Sequence, residues 1–499
     1  MTDYKAKTIK PGSGTAKISK AQFKAAIPDL RVRLINTQYR LKDADFSVII
    51  LLAGPDRIGC EQVVDRLHEW MDGRYLDTWF ADKPSDEEAS RPRFWRLWRN
   101  MPAKGRTGLM VGATFTDIIG ERLRGKSRDG KLRRLTEHFT ALDRLLLDDG
   151  TIVLKFWLDI PAKAMKKRLE EFKENQAPYV EDLDYVILKH YKAAQPIISE
   201  LLDQTGAHLP WLVVDGRDER ARDLHIAEKV LENIEQQLDQ PGTTEYSRRS
   251  TKPAPAHLDT IDLDASLPYP AYRKSIETLQ SRLHELSLDM RQQGLGVVLA
   301  FEGWDAAGKG GAIRRITHAM SARDCKVMPV AAPTDEELAH HYLWRFWRHL
   351  PRDGQMRIFD RSWYGRVLVE RVEELAQESE WRRAYSEIND FENQIVEHGH
   401  LVLKFWLHID PDEQLKRFKA REKTPYKKYK ITADDYRNRE QWPAYLEALN
   451  EMVEHTSTPE APWHLIAAND KRWARVKVLD VLCNALETAL SQDKKKKSE

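Results

Sequence analysis

The chain has 499 residues, enough for two or three domains that each bury a core, and its 32% charged and 41% hydrophobic residues are ordinary for a water-soluble globular protein. A net charge of +2 excludes a bulk basic field of the kind that binds nucleic acid, so any anion binding has to come from local clusters. Three scattered cysteines (Cys60, Cys325, Cys483) exclude a disulfide framework and no apolar stretch reaches the length of a membrane span, so a cytoplasmic protein with no membrane or nucleic-acid partner is expected.

The first recognisable element is the apolar run at Val48, VIILLAGPDRIG, which reads as a buried strand entering a turn. It is the first half of a repeat. VVLAFEGWDAAG at Val297 has the same pattern, and Gly54 and Gly303 stand 249 positions apart. RFWRLWRNMP and YLWRFWRHLP place Trp95 and Trp344 at the same interval of 249. GTIVLKFWLDI and GHLVLKFWLHI do so again with Gly150 and Gly399, 249 apart. A constant interval across three separated blocks means two copies of one domain. The stretch from about Gln240 to Pro270 is rich in Pro, Ser and Thr and reads as a linker. The expected division is therefore residues 1–240, a linker at 241–270, and residues 271–499.

In the second copy the spacing predicts a helix over Arg273 to Gln293 and buried strands at Val297–Phe301, near Val327, at Met356, at Leu401 and at Trp463. Strands alternating with helices predict an α/β fold, a parallel sheet covered on both faces, in each copy. After the Val297 strand comes Gly303-Trp-Asp-Ala-Ala-Gly308-Lys309-Gly310-Gly311, then a helical segment. This is the spacing of a phosphate-binding loop. Gly303, Gly308, Gly310 and Gly311 let the backbone turn its N–H groups inward, and Lys309 supplies a point charge. Gly310 stands where such loops usually carry a magnesium-binding hydroxyl, and Asp305 inside the loop can supply a carboxylate instead. Asp360 ends the strand MRIFD, where a nucleotide kinase holds its metal, and Arg361 beside it can reach a transferring phosphoryl group.

Further on, KRFKAREKTPYKKYK carries Lys416, Arg417, Lys419, Arg421, Lys423, Lys427, Lys428 and Lys430 against the single acid Glu422. The matching segment of the first copy, KRLEEFKENQAPYVEDLD, is acidic. Such a concentration of cations predicts a lid for a substrate with many phosphates. Moving the site residues back by 249 positions turns Lys309 into Cys60, Asp360 into Val111 and Arg361 into Gly112, while Asp305 keeps Asp56. The first copy is expected to keep the fold and lack the chemistry, with Cys60 as a small space-filling residue.

GWDAAGKGGAIRRI, PTDEELAHHYLWRFWRHLP, FDRSWYGRVLVERV and AREKTPYKKYKITADDYRNREQW, in that order, resemble the polyphosphate kinase 2 family. The resemblance spans both copies and is similar to the fused, two-domain branch that makes ADP from AMP and inorganic polyphosphate. It implies a tandem pair of P-loop kinase-like domains with helical lids, the first degenerate, dependence on Mg2+ (Mn2+ as a substitute), and homodimers. It implies that Asp305 and Asp360 bind metal, that Lys309 and Arg361 bind phosphates, and that Arg421, Lys427 and Lys430, with Arg417, meet the polyphosphate chain. Thr424 stands where the family usually has Asp before the lid proline. Alternative readings are a polyphosphate:nucleoside-diphosphate kinase acting on ADP or GDP, an ordinary ATP-dependent kinase, and a non-enzymatic polyanion-binding module.

Overall fold

The structure, a computed structural model, describes residues 17–112, 115–125, 129–174, 182–240, 255–426, 429, 431 and 433–498. Contacts divide the chain into two units, each built on a five-stranded sheet. Short segments depart from the sequence order: Ser85–Arg99 belongs to the unit of the second sheet and Leu338–His341 to that of the first.

The first sheet contains β1 (Val48–Ala53), β2 (Leu76–Phe80), β3 (Thr107–Val111), β4 (Ile152–Asp159) and β5 (Leu212–Asp215), in the order β2-β3-β1-β4-β5. The second contains β6 (Val297–Gly303), β7 (Cys325–Pro329), β8 (Met356–Asp360), β9 (Leu401–His408) and β10 (Trp463–Ala467), in the order β10-β9-β6-β8-β7. The two orders are the same once the repeat is allowed for, and every pairing is parallel. Register repeats as well. Phe301 pairs with Asp360 in the second sheet, and Leu52 pairs with Val111 in the first. The loss of the acid at the end of β3 is thus a substitution at a fixed backbone position.

The central strands are apolar because both of their faces are covered. All of β1 is buried, and so is β6 up to Gly303. Buried lysines interrupt this at equivalent places. Lys404 Nζ donates to Glu392 Oε2 (2.7 Å), Tyr364 Oη (2.9 Å) and the Thr456 carbonyl (2.6 Å), and Lys155 is held likewise by Asp143 and the Thr205 carbonyl. Each ammonium is paired with a carboxylate and also donates to a backbone carbonyl, which offsets the cost of burying the charge.

The helix expected from Arg273 begins earlier, at Tyr269, with Pro270 in its first turn. A proline there costs nothing, because the first helical N–H groups have no partner inside the helix. What reads in sequence as the end of a Pro-rich linker is in the structure a helix start.

Candidate active site

The loop between β6 and the helix Lys309–Ala319 lies at the carboxyl ends of the strands, beside the end of β8. Backbone geometry explains its glycines. Gly303 has φ +146°, and a Cβ there would sit 2.6 Å from the Leu407 carbonyl oxygen. Gly308 has φ +115° and caps the helix. A Cβ on Gly310 would meet no neighbour, whereas one on Gly311 would lie 3.2 Å from Nη2 of Arg475, a loop-side cation that the sequence reading overlooked.

Lys309 is half-buried and turns back on the loop, donating from Nζ to the Gly303 carbonyl at 2.6 Å. Burial lowers its pKa, and Arg361 adds to this; Asp305, Glu302 and Asp360 oppose the shift without cancelling it. Arg361 follows β8 in a left-handed conformation, φ +67°, which aims its guanidinium at the loop, where Nη2 donates to Asp305 Oδ1 at 2.9 Å. Burial works against the Arg361 cation, but Asp305, Glu302 and Asp360 together hold its pKa above the ordinary value. Asp305 and Asp360 therefore act on the same two cations. They differ in placement: Asp305 lines the cavity beneath the loop, while Asp360 ends β8 outside that lining.

The structure also adds Glu302 and Ser362, which sequence reasoning missed. Glu302, only 6% exposed, accepts from Ser362 Oγ at 2.8 Å, and it lines the cavity beside Lys309. Burial raises its pKa, with Lys309 and Ser362 opposing. A signal was available, since the interval of 249 places Ala53 opposite Glu302. A charged residue at the inner end of a buried strand in one copy only is what a site leaves behind.

The cavity is lined by two kinds of side chain. One is charged: Glu302, Asp305, Lys309 and Arg361. The other is largely apolar: Leu368, Val369, Trp406 and Tyr445. Trp304 stacks on Trp442 with centroids 3.6 Å apart, and Trp304 and Trp406 both donate from Nε1 to His408 Nδ1 at 3.2 Å. Above the loop, Asn438 of the helix Ala433–Glu440 approaches Asp305 Oδ2 at 3.4 Å, and Gln414 donates to the Asp305 carbonyl at 3.3 Å.

The basic segment needs one correction. Arg417 is 4% exposed and does not face a substrate. Its Nη1 donates to the carbonyls of Ala306 and Ala307, its Nη2 to those of Ala468 and Asn469, and its Nε to Glu413. Five donors in a rigid fork suit it to bracing the loop after β6. Arg421 lies one turn further along the same helix, Pro411–Glu422, and is half-buried. Lys427 and Lys430 lie outside the described residues.

The corresponding place in the first unit is self-neutralised. Asp56 caps the helix Arg57–Trp70 through the Gly59 N–H and pairs with Arg168, which also donates to the Gly216 carbonyl. Arg168 is the counterpart of Arg417, 249 positions earlier. Cys60 is 1% exposed, and burial pushes its thiol well above the usual range, so it packs and does not react.

An all-oxygen pair of carboxylates beside a lysine and an arginine suits a hard divalent cation that also takes phosphate oxygens. Asp305 fits such a role, because its carboxylate is reached from the cavity and its charge is balanced by an arginine whose side chain is 53% exposed.

The profile of the family Polyphosphate kinase 2 matches residues 17–241 and 267–495, once for each repeat. A polyphosphate:AMP phosphotransferase of Pseudomonas aeruginosa is 44% identical over 96% of this chain and 98% of its own. Another of that name from Acinetobacter johnsonii is 35% identical over 93% of this chain and 97% of its own. A crystal structure from Pseudomonas aeruginosa PA01, described as a polyphosphate kinase 2, superposes with a TM-score of 0.84 at 43% identity, covering 95% of this chain and 98% of that one.

Proposed function

As the chain belongs to the polyphosphate kinase 2 family, we propose that it phosphorylates AMP to ADP with inorganic polyphosphate as donor, at the loop of the second repeat. The observation that carries this reading is the two-sided cavity. Its charged lining, with Lys309 and Arg361, suits phosphates, and its apolar lining suits a nucleoside.

In the reaction a phosphate oxygen of AMP attacks the terminal phosphorus of polyphosphate. A new P–O bond forms in line with the bond that breaks, giving ADP and a chain shorter by one phosphate. The attacking oxygen is already anionic, so no general base is needed. The work left to the protein is positioning and charge stabilisation. Lys309 is placed to exchange the Gly303 carbonyl for a phosphate oxygen, and Arg361 to exchange Asp305 for the transferring group. Asp305 and Glu302 favour the charged form of Lys309 against burial, and Glu302 accepts the hydrogen bond of Ser362. Magnesium, held by Asp305 and Asp360, would supply neutralisation of the phosphate oxygens. Arg421, with Lys427 and Lys430, would guide the polyphosphate. The first repeat, lacking amine, arginine and second acid, takes no part in transfer. With no helix among the described residues long and apolar enough to cross a membrane, the site of action is proposed to be the cytoplasm.

The test is to incubate the chain with polyphosphate and Mg2+, adding AMP or ADP in separate reactions, and to resolve the nucleotides. ADP formed from AMP is the expected result. Product from ADP alone would contradict the acceptor, and product from neither would leave a polyanion-binding module.

A further inference from the structure

Three donor side chains converge at the other end of the second sheet, where β8 and β9 begin. Asp353 lies in the turn before β8, His398 closes the helix Glu378–Glu397, and His400 directly precedes β9. Nε2 of His398 and Nε2 of His400 meet the same atom, Asp353 Oδ1, at 3.2 and 2.9 Å. The three donor atoms lie within 4.8 Å of one another. The cluster is closed behind and open in front: the His400 side chain is 1% exposed, His398 19% and Asp353 44%. Gly296 makes room for it, since a Cβ there would fall 2.4 Å from the His400 ring.

Hydrogen bonds alone leave a conflict. The His398 ring also bonds the backbone of Ser90, a residue of the same unit. It thus faces two acceptors, that carbonyl and the Asp353 carboxylate. A neutral imidazole has only one N–H to give. A cation removes the conflict, because the N–H can serve Ser90 while the other nitrogen gives its lone pair to the ion. Metal-bound imidazoles commonly donate their second nitrogen to a carbonyl in this way.

We propose that Asp353, His398 and His400 bind one divalent transition-metal ion of the Zn2+ type, apart from the phosphate-transfer site. Two imidazoles and a carboxylate suit Zn2+ and not Mg2+. Tetrahedral Zn2+ at about 2.0–2.1 Å from its ligands spaces them about 3.3 Å apart, close to the Asp353–histidine separations already present. A water completes the shell, and the ion ties the turn before β8 to the start of β9. The first repeat carries Lys104, Asp149 and Thr151 at the equivalent positions, so the ligand set is not repeated there.

The test uses the full chain, stripped with a chelator and titrated with Zn2+ against a chromophoric competitor, with excess Mg2+ to occupy the carboxylates near the loop. Wild type is expected to take up one tightly held Zn2+ per chain, and His398→Gln and Asp353→Asn each to lose it. Both positions are partly exposed, and an unchanged rate of nucleotide phosphorylation without Zn2+ shows that the variants are folded. Equal Zn2+ uptake by wild type and both variants, or none by wild type, overturns the proposal.

Discussion

Arg361 reaches Asp305 across 2.9 Å from a left-handed backbone, φ +67°. A non-glycine residue held there costs on the order of 1 kcal/mol or more, and such strain persists where a side chain has to be aimed. Arg361→Lys keeps the charge and loses the fork. The expected outcome is a fall in kcat of roughly 10²-fold or more with a smaller change in KM for the nucleotide, read by steady-state kinetics.

The loop amine should set the alkaline limit of activity. Lys309 has to be protonated to hold a phosphate, and its pKa is lowered, so activity should decline at a lower pH than an ordinary lysine would dictate. Glu302 is one of the charges that keep Lys309 protonated. In Glu302→Gln the alkaline limb should move to still lower pH. An unmoved limb would show that Lys309 does not govern it.

His408 makes stability depend on acid. Its Nδ1 accepts from two tryptophans, and burial lowers its pKa from 6.5 to about 4. The unfolded imidazole therefore takes up a proton at a higher pH than the folded one. Stability is whole above pH 6.5 and is lost as pH falls from there to about 4, by roughly 3 kcal/mol at about 1.4 kcal/mol per unit. Denaturant midpoints across this range should show that slope, and His408→Gln should flatten it.

Arg417 and Arg421 sit on one helix and should fail differently. Arg417→Ala strips donors from four loop and strand-end carbonyls and leaves Glu413 with Lys416 as its remaining ion-pair partner. A loss of about 2–4 kcal/mol in unfolding free energy is expected. Arg421→Ala should leave stability within about 0.5 kcal/mol and raise KM for polyphosphate, most at low salt.

The repeat made much of the fold legible. A constant interval and apolar runs bounded by glycine predict two parallel sheets, and the register of Phe301 with Asp360 against Leu52 with Val111 follows the same interval. The sharp turn of the loop was legible, because Gly303 and Gly308 take the positive φ angles that glycines at that spacing suggest. Arg417 was not. A sequence shows the charge of a basic run but not which cation turns inward, and that choice is made by carbonyls contributed from residues over 50 positions away. Glu302 showed in the sequence only as a mismatch with Ala53, because its partner Ser362 reaches it only when β6 and β8 pair. The early helix start at Tyr269 was hidden by prolines that mark a linker in sequence and a first turn in space.

The central claim is that one repeat transfers phosphate and the other does not. It is tested most directly by the rate of ADP formation from AMP and polyphosphate in Lys309→Ala and in Asp56→Asn, each normalised to folded protein. Loss of at least about 10²-fold in the first and retention of most of the rate in the second is the predicted result. Comparable rates in Lys309→Ala and wild type, or an equal collapse in a folded Asp56→Asn, would contradict it.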